Sequence, residues 1–154
     1  MIESGKNGTS GVGLIELYDL DAVANAHLSN ISTRGVVQTG ANVMIGGFIV
    51  SGANGSVNLI VRALGPSLAQ FGIPNPLADP RLGLYDINGT LIKSNDNWKD
   101  SQQTAIENSG FPGPPPNDLD SAILVPLPTG NYTAIVSGKN GGTGVSLVEV
   151  YRLP

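Results

Sequence analysis

The chain has 154 residues, a length typical of one domain. Charged residues make up only 13% of it, about half of the roughly 25% usual in globular proteins. The polar surface must therefore come from Asn, Ser, Thr and Gly, which favour strands and turns over helices. This composition excludes a coiled coil and argues strongly against a helical bundle.

The net charge is −4, and the 8 basic residues are scattered singly along the sequence. Nucleic-acid binding requires a basic stripe that neutralises phosphates, so no nucleic-acid partner is expected. No apolar run approaches the roughly 18–20 residues that span a membrane, and the first residues do not resemble a signal peptide. The absence of cysteine excludes disulfides, thiol catalysis and zinc–thiolate sites.

Short segments of alternating apolar and polar residues, separated by Gly, Pro and Asn turns, predict about nine strands. They are residues 12–18, 26–31, 43–50, 57–63, 81–86, 90–94, 121–127, 131–137 and 145–152. The Asn54-Gly55 pair predicts a hairpin between the third and fourth of these strands. One short helix is predicted near residues 101–108, capped by Asp100 or Ser101. We therefore expect an all-β fold, an antiparallel β-sandwich or jelly roll.

An internal repeat divides the chain. Residues 5–20 reappear as residues 138–153 at an offset of 133, with ten of the sixteen positions identical. We therefore expect two units, residues 1–21 as a segment that repeats the C-terminal strand and residues 22–154 as the β-sandwich module.

The repeat has three interpretations. In the first, the chain is cut from a tandem array of modules, and residues 1–21 are the last strand of the preceding one. In the second, residues 11–20 enter the equivalent slot of a neighbouring subunit and build a head-to-tail fibre by β-strand addition. In the third, the segment is an additional edge strand of the same domain. The candidate assembly-strand residues are Val12, Leu14, Glu16 and Tyr18.

Two stretches of the second half resemble a known family. Residues 84–96 read LYDINGTLIKSND, and residues 124–138 read LVPLPTGNYTAIVSG. Both are similar to motifs of the bacterial pre-peptidase C-terminal domain, a jelly-roll β-sandwich appended to secreted enzymes and surface proteins, and the match covers about residues 81–153. Residues 30–35 and 62–68 are similar to uncharacterised repeat modules of large exported bacterial proteins.

This resemblance implies a secreted or surface-exposed accessory or structural module and carries no catalytic residue with it. Members of the family are often stabilised by calcium, which makes the acidic loops of this chain candidate sites. Calcium prefers six to eight oxygen ligands at flexible loop positions. In the alternative interpretation, each carboxylate caps a helix or closes a turn. The candidate ligands are Asp96, Asp100, Asp118 and Asp120.

Two charges interrupt strands that are otherwise apolar. Arg62 lies within residues 59–64, and Glu149 shares a strand face with Leu147 and Tyr151. An unpaired charge at such a position is costly, so we expect a half-buried structural ion pair between Arg62 and Glu149. The alternative is that both side chains lie at edge or solvent-facing positions, where charge opposes aggregation.

Few residues have the types that catalysis requires. His27 is the only histidine, and its strand offers no nucleophile or second metal ligand, so no enzyme is expected. Trp98 is a candidate for stacking on a glycan, with Tyr85 and Tyr132 as further members of an aromatic platform.

These patterns predict a non-catalytic extracellular structural module, bacterial in type. It repeats in a large surface protein or polymerises into a fibre, and its partner is a neighbouring repeat or subunit. The competing hypothesis is a calcium-stabilised accessory domain of a secreted hydrolase that binds a carbohydrate or the hydrolase's substrate.

Overall fold

The computed structural model describes residues 2–18, 30–51 and 55–154. These residues form eight strands and one α-helix. The strands are β1 (Asn30–Val37), β2 (Met44–Val50), β3 (Ser56–Leu64), β4 (Pro80–Asp86), β5 (Leu91–Asn95), β6 (Ser121–Pro128), β7 (Gly130–Gly138) and β8 (Gly144–Arg152). The helix, α1, is Lys99–Glu107.

The strands form two antiparallel four-stranded sheets. Sheet A has the order β1-β8-β3-β6, and sheet B has the order β2-β7-β4-β5. This interleaved order is the jelly-roll arrangement of eight strands. The predicted all-β sandwich is therefore confirmed, and the predicted helix near residues 101–108 corresponds to α1.

The hairpin predicted at Asn54-Gly55 is wrong, because β2 and β3 belong to different sheets. β2 pairs with β7, whereas β3 pairs with β6 and β8. A turn that crosses between two layers uses the same Asn and Gly chemistry as a hairpin turn, so the sequence does not distinguish them. Asn54 lies outside the described residues, as do residues 26–29 of the predicted second strand, His27 among them.

The main core lies between the two sheets, where alternate side chains of both inner faces meet. The largest fully buried members include Leu77, Leu82, Leu84, Ile123, Val61 and Val136. On the inner face of sheet B, Phe48 stacks on Tyr132 with ring centroids 5.7 Å apart. The alternation that defines the strands in the sequence therefore also defines this core.

A second, smaller core covers the outer face of sheet A. Ile106 of α1 packs there with Ile60, Ala122 and Trp98, all buried. Gln102 of α1 donates from Nε2 to the Leu124 carbonyl (2.8 Å) and accepts at Oε1 from the Leu124 amide (3.1 Å). One side chain thus occupies backbone groups at the free edge of β6, which blocks part of that edge against another strand.

Asp120 joins the loop before β6 to the end of β3. Its side chain is fully buried, and its Oδ1 accepts from the Gly65 amide at 2.8 Å and its Oδ2 from the Asn117 amide at 3.2 Å. Burial raises the pKa of Asp120, and the backbone hydrogen bond from Gly65 opposes this rise. The carboxylate therefore satisfies two backbone donors, one of them, the Gly65 amide, buried.

Replacing Asp120 by Ala leaves those two amides without an acceptor, and we expect it to lower the free energy of unfolding by about 2–4 kcal/mol. Chemical denaturation at neutral pH measures the loss. The matched control is Asp118→Ala, which removes an exposed ion pair with Lys99 and costs at most about 1 kcal/mol. Equal losses for the two variants would contradict the role assigned to Asp120.

Candidate functional site

β8, the closing strand of sheet A, is held at its start by a charged turn. Lys139 begins a 3₁₀ turn, Lys139–Gly141, in which Asn140 has φ 53° and Gly141 φ 75°. The Lys139 ammonium lies 2.7 Å from Asp96 Oδ2 and 3.4 Å from Asp79 Oδ2. The hydrogen bond to Asp96 raises the pKa of Lys139 above its ordinary value. The turn is thus fixed to the loops that flank β4 and β5.

The first residues of β8 pass close to another backbone segment. The Leu77 amide donates to the Val145 carbonyl, and the Val145 amide donates to the Asn75 carbonyl, both at 2.8 Å. A Cβ atom at Gly144 would lie 2.7 Å from the Leu77 nitrogen. Such a distance is incompatible with a side chain, so this position requires glycine.

The middle of β8 carries a buried ion pair. Arg62 and Glu149 are Cα partners on β3 and β8, with 7% and 6% of their surfaces exposed. The Arg62 Nη2 and Nε atoms donate to Glu149 Oε2 at 2.5 and 3.1 Å. The Tyr151 hydroxyl donates to Glu149 Oε1 at 2.9 Å, and the Arg62 guanidinium lies over the Tyr151 ring. Both expected partners therefore meet, on the outer face of sheet A.

Two further contacts complete the surroundings of this pair. Arg62 Nη1 donates to the Gly113 carbonyl at 3.2 Å, and the Ser32 hydroxyl of β1 lies 3.4 Å from Glu149 Oε1. Burial, followed by the hydrogen bond to Glu149, raises the pKa of the Tyr151 hydroxyl. Every charge in this cluster thus has a partner, as a buried ion pair requires.

The N-terminal segment, residues 2–18, repeats the turn that precedes β8 and one side-chain hydrogen bond of β8. Its 3₁₀ turn, Lys6–Gly8, places Asn7 at φ 57° and Gly8 at φ 75°, within 4° of the values at the two equivalent positions. The Tyr18 hydroxyl donates to Glu16 Oε1 at 3.0 Å, as Tyr151 does to Glu149, and this bond raises the pKa of Tyr18.

This segment has no strand partner among the described residues. Residues 12–18 belong to neither sheet, so the predicted strand, and the interpretation of it as an edge strand of this domain, are corrected here. The reason is that β8 already occupies the position between β1 and β3 that the segment resembles. Large apolar side chains consequently face solvent, with exposed fractions of 95% for Val12, 79% for Leu14 and 61% for Leu17. Residues 19–20 and the predicted unit boundary at 21 lie outside the described residues.

Three residues of the segment match anchors of β8 but lack the contacts those anchors make. Lys6 forms no ion pair in the described part of the chain, whereas Lys139 contacts two carboxylates. Glu16 faces no arginine there. A Cβ atom at Gly11 would meet nothing within 4 Å, although the equivalent Gly144 requires glycine.

The four candidate calcium ligands do not converge. Within the described ranges, no group of three or more acidic or histidine side chains is placed to hold a metal ion. Asp96 binds Lys139, and Asp118 lies 2.6 Å from Lys99. Asp120 accepts backbone amides as described above, and Asp100 accepts from the Asn97 side chain at 3.2 Å. The carboxylates thus have separate protein partners, an arrangement that does not fit one calcium ion.

Trp98 is unavailable for stacking on a glycan. Only 4% of its surface is exposed, since it packs with Ile60 and Ile106, and its indole nitrogen donates to the Asn117 carbonyl at 3.1 Å. The expectation of a stacking role is therefore corrected, because a platform must expose a ring face. Tyr132 is likewise buried against Phe48.

Sequence reasoning identified the Arg62–Glu149 pair as a hypothesis but assigned no role to Lys139 or Gly144. The repeat contained the signal for both, because Lys6 and Gly11 are among its identical positions. In addition, no helix within residues 2–18, 30–51 and 55–154 has the length and apolarity needed to cross a bilayer.

No family model matches the chain, and no curated protein matches it. One solved structure, the pre-peptidase C-terminal domain of collagenase from Bacillus anthracis, is similar at 14% sequence identity and a TM-score of 0.48. The similarity covers 79% of this chain and 88% of that chain. It concerns the fold alone. The motifs at residues 84–96 and 124–138 resemble the same kind of domain.

The buried ion pair predicts different outcomes for two identical positions of the repeat. Glu149→Gln leaves the Arg62 charge buried without a counter-charge, and we expect it to destabilise the module by about 3–5 kcal/mol. Glu16→Gln, the matched control in the exposed segment, should change stability by less than about 0.5 kcal/mol. Denaturant titration of both variants checks this, and an unchanged Glu149→Gln midpoint would contradict the structural role of the pair.

Calcium binding is a prediction from the sequence alone. Because the four candidate carboxylates have separate protein partners, we expect calcium not to change the free energy of unfolding. A bound ion at a hundred times its Kd would add about 2.7 kcal/mol. Melting curves in millimolar calcium and in chelator should therefore superimpose. A higher melting temperature with calcium, abolished by Asp96→Asn or Asp118→Asn, would contradict this expectation.

Proposed function

We propose that this chain is a non-catalytic structural module of an extracellular bacterial assembly, in which residues 5–18 join one copy of the fold to a neighbouring copy. The single observation that carries the proposal is the solvent-exposed copy of β8. The chain has two segments with one strand sequence, and only one of them is paired in the described structure.

The physical argument is that a segment with exposed apolar side chains and no strand partner is stabilised by pairing with a sheet. Main-chain groups of residues 12–18 form no ladder, and Val12, Leu14 and Leu17 expose apolar surface to water. Soluble proteins ordinarily block such edges with charge, proline or a covering element. An exposed segment of this kind is instead suited to strand addition, in which backbone hydrogen bonds give affinity and alternate side chains give register.

The non-catalytic part of the proposal is supported by the absence of catalytic geometry in the described residues. The most buried charged groups, Arg62, Glu149 and Asp120, are each satisfied by protein partners. The neighbouring copies are consecutive repeats of one exported polypeptide or separate subunits of a fibre.

Light scattering and negative-stain microscopy test the proposal on the full chain and on a chain that lacks residues 1–18. We expect concentration-dependent oligomers or filaments from the full chain. The shortened chain retains all eight strands and should be a monomer of unchanged stability, because residues 2–18 add no strand to either sheet.

The matched control is Ile45→Ser, which removes an apolar side chain, 58% exposed, from the outer face of sheet B. It should not affect association, whereas Leu14→Ser should weaken it. If the full and shortened chains are identical monomers, the form of the proposal in which separate subunits build a fibre is contradicted. Binding of either chain on a glycan array would then favour the accessory-domain hypothesis.

A further inference from the structure

We infer that the partner of residues 5–18 is the β8 slot of an upstream module of the same fold, one whose β1–β7 precede these residues in the polypeptide. The slot is the gap between β1 and β3. The inference rests on the proposed function and names its acceptor and its register.

The first argument is the balance of strands and slots. In the described part of one copy there is one slot, between β1 and β3, and two segments share its strand sequence, β8 and residues 12–18. The slot is filled by β8 in register from Asn30↔Tyr151 to Val37↔Gly144. In a population of identical chains, residues 12–18 can enter this slot only by displacing the β8 of another copy, so no copy offers a vacant slot. Only a module without its own β8 has a vacant slot. Such a module occurs in a tandem array if residues 5–18 serve as β8 of the module that precedes them.

The second argument is that the anchors of β8 reappear at fixed spacing. Lys6 takes the position of Lys139, whose partners are Asp79 and Asp96. Glu16 takes the position of Glu149, whose partner is Arg62. Residues 5–18 carry no other charged side chain. Both charges of the segment thus find opposite charges in the slot.

The third argument is that no contact around position 11 in this structure requires glycine there. Gly11 has open space around its missing Cβ in this structure, but a Cβ atom at the equivalent Gly144 would lie 2.7 Å from the Leu77 nitrogen. Docked in the slot, Gly11 passes the same backbone of the acceptor. The conformation of the turn is also already formed, since Asn7 and Asn140 have φ values of 57° and 53°.

The alternative acceptor is a free sheet edge, and the structure disfavours it. The edge at β6 is partly occupied by Gln102, which exchanges two hydrogen bonds with Leu124. At the edge of β1, the incoming Glu16 would be separated from Arg62 by β1 and β8. At neither of these edges would Glu16 lie directly opposite Arg62, as Glu149 does.

A two-module chain tests the inference. Residues 30–137 are placed directly before Gly5 of the natural sequence, which gives two slots and two closing strands. Hydrogen exchange of residues 12–18 should slow from the rate of an unstructured peptide to that of β8. Self-association through residues 2–18 should be lost, because the segment is now paired.

Substitutions at equivalent positions of the two modules test whether residues 5–18 make the same contacts as β8, which proximity alone would not show. Gly11→Ala and Glu16→Gln should leave the stability of the single-module chain unchanged. In the two-module chain, they should destabilise the upstream module as Gly144→Ala and Glu149→Gln destabilise the downstream one. The downstream module provides an internal control, since its own transition should not move with the first two substitutions.

A second variant keeps the test decisive if the junction prevents folding of the upstream module. In the single-module chain, β8 and its turn receive the sequence of the N-terminal segment through Gly142→Thr, Thr143→Ser, Ser146→Gly, Val148→Ile and Val150→Leu. Cooperative unfolding of this variant supports the inference. Its failure to fold, or unprotected residues 12–18 in a two-module chain with both modules folded, overturns the inference.

These outcomes are distinguishable from a failure of the proposed function. If residues 12–18 stay unprotected while the single-module chain still associates through residues 2–18, the upstream slot is the wrong acceptor and the assembly role stands. If that association is also absent, both are wrong.

Discussion

A buried guanidinium on β3 determines how sheet A closes. Arg62 lies on the outer face between Ala122 of β6 and Glu149 of β8, and water barely reaches it. The desolvated charge is tolerated only when the neighbouring strand places a carboxylate opposite it. The alternation of apolar and polar residues does not determine the register of β8, because a slip of two residues leaves the same side chains facing inward. The ion pair distinguishes those registers, so it fixes the position of β8 along sheet A.

The remaining anchors make the slot selective over the whole strand. Lys139 fixes the turn to Asp79 and Asp96, and Gly144 allows close passage beside Leu77. Together with Glu149, they define a pattern of lysine, glycine and glutamate at fixed spacing. Residues 5–18 have the same pattern at the same spacing. A segment that needed only to cover apolar surface would have no reason to repeat all three.

The local features of the fold could be predicted from the sequence, and the non-local ones largely could not. Strand positions followed from alternation and turn residues, which act over a few neighbours. The assignment of β2 and β3 to one hairpin failed because sheet membership depends on partners far away in sequence, β7 and β8. The same holds for the acidic loops. The local sequence around Asp96 is compatible with a calcium ligand. Its ion-pair partner, Lys139, lies 43 residues later in the chain, so local sequence does not reveal it. Trp98 was misjudged because its burial comes from α1 packing on sheet A.

The charges of the N-terminal segment also bear on specificity. An exposed segment with apolar side chains and no strand partner is an aggregation hazard, because any free sheet edge can pair with it. Residues 5–18 carry two charged side chains, Lys6 and Glu16, both at anchor positions. Insertion into a sheet without complementary charges would bury Glu16 unpaired, at a cost of several kcal/mol. The Glu16 carboxylate therefore stabilises docking beside an arginine such as Arg62 and opposes docking elsewhere. Specificity arises here from the free-energy cost of binding the wrong partner.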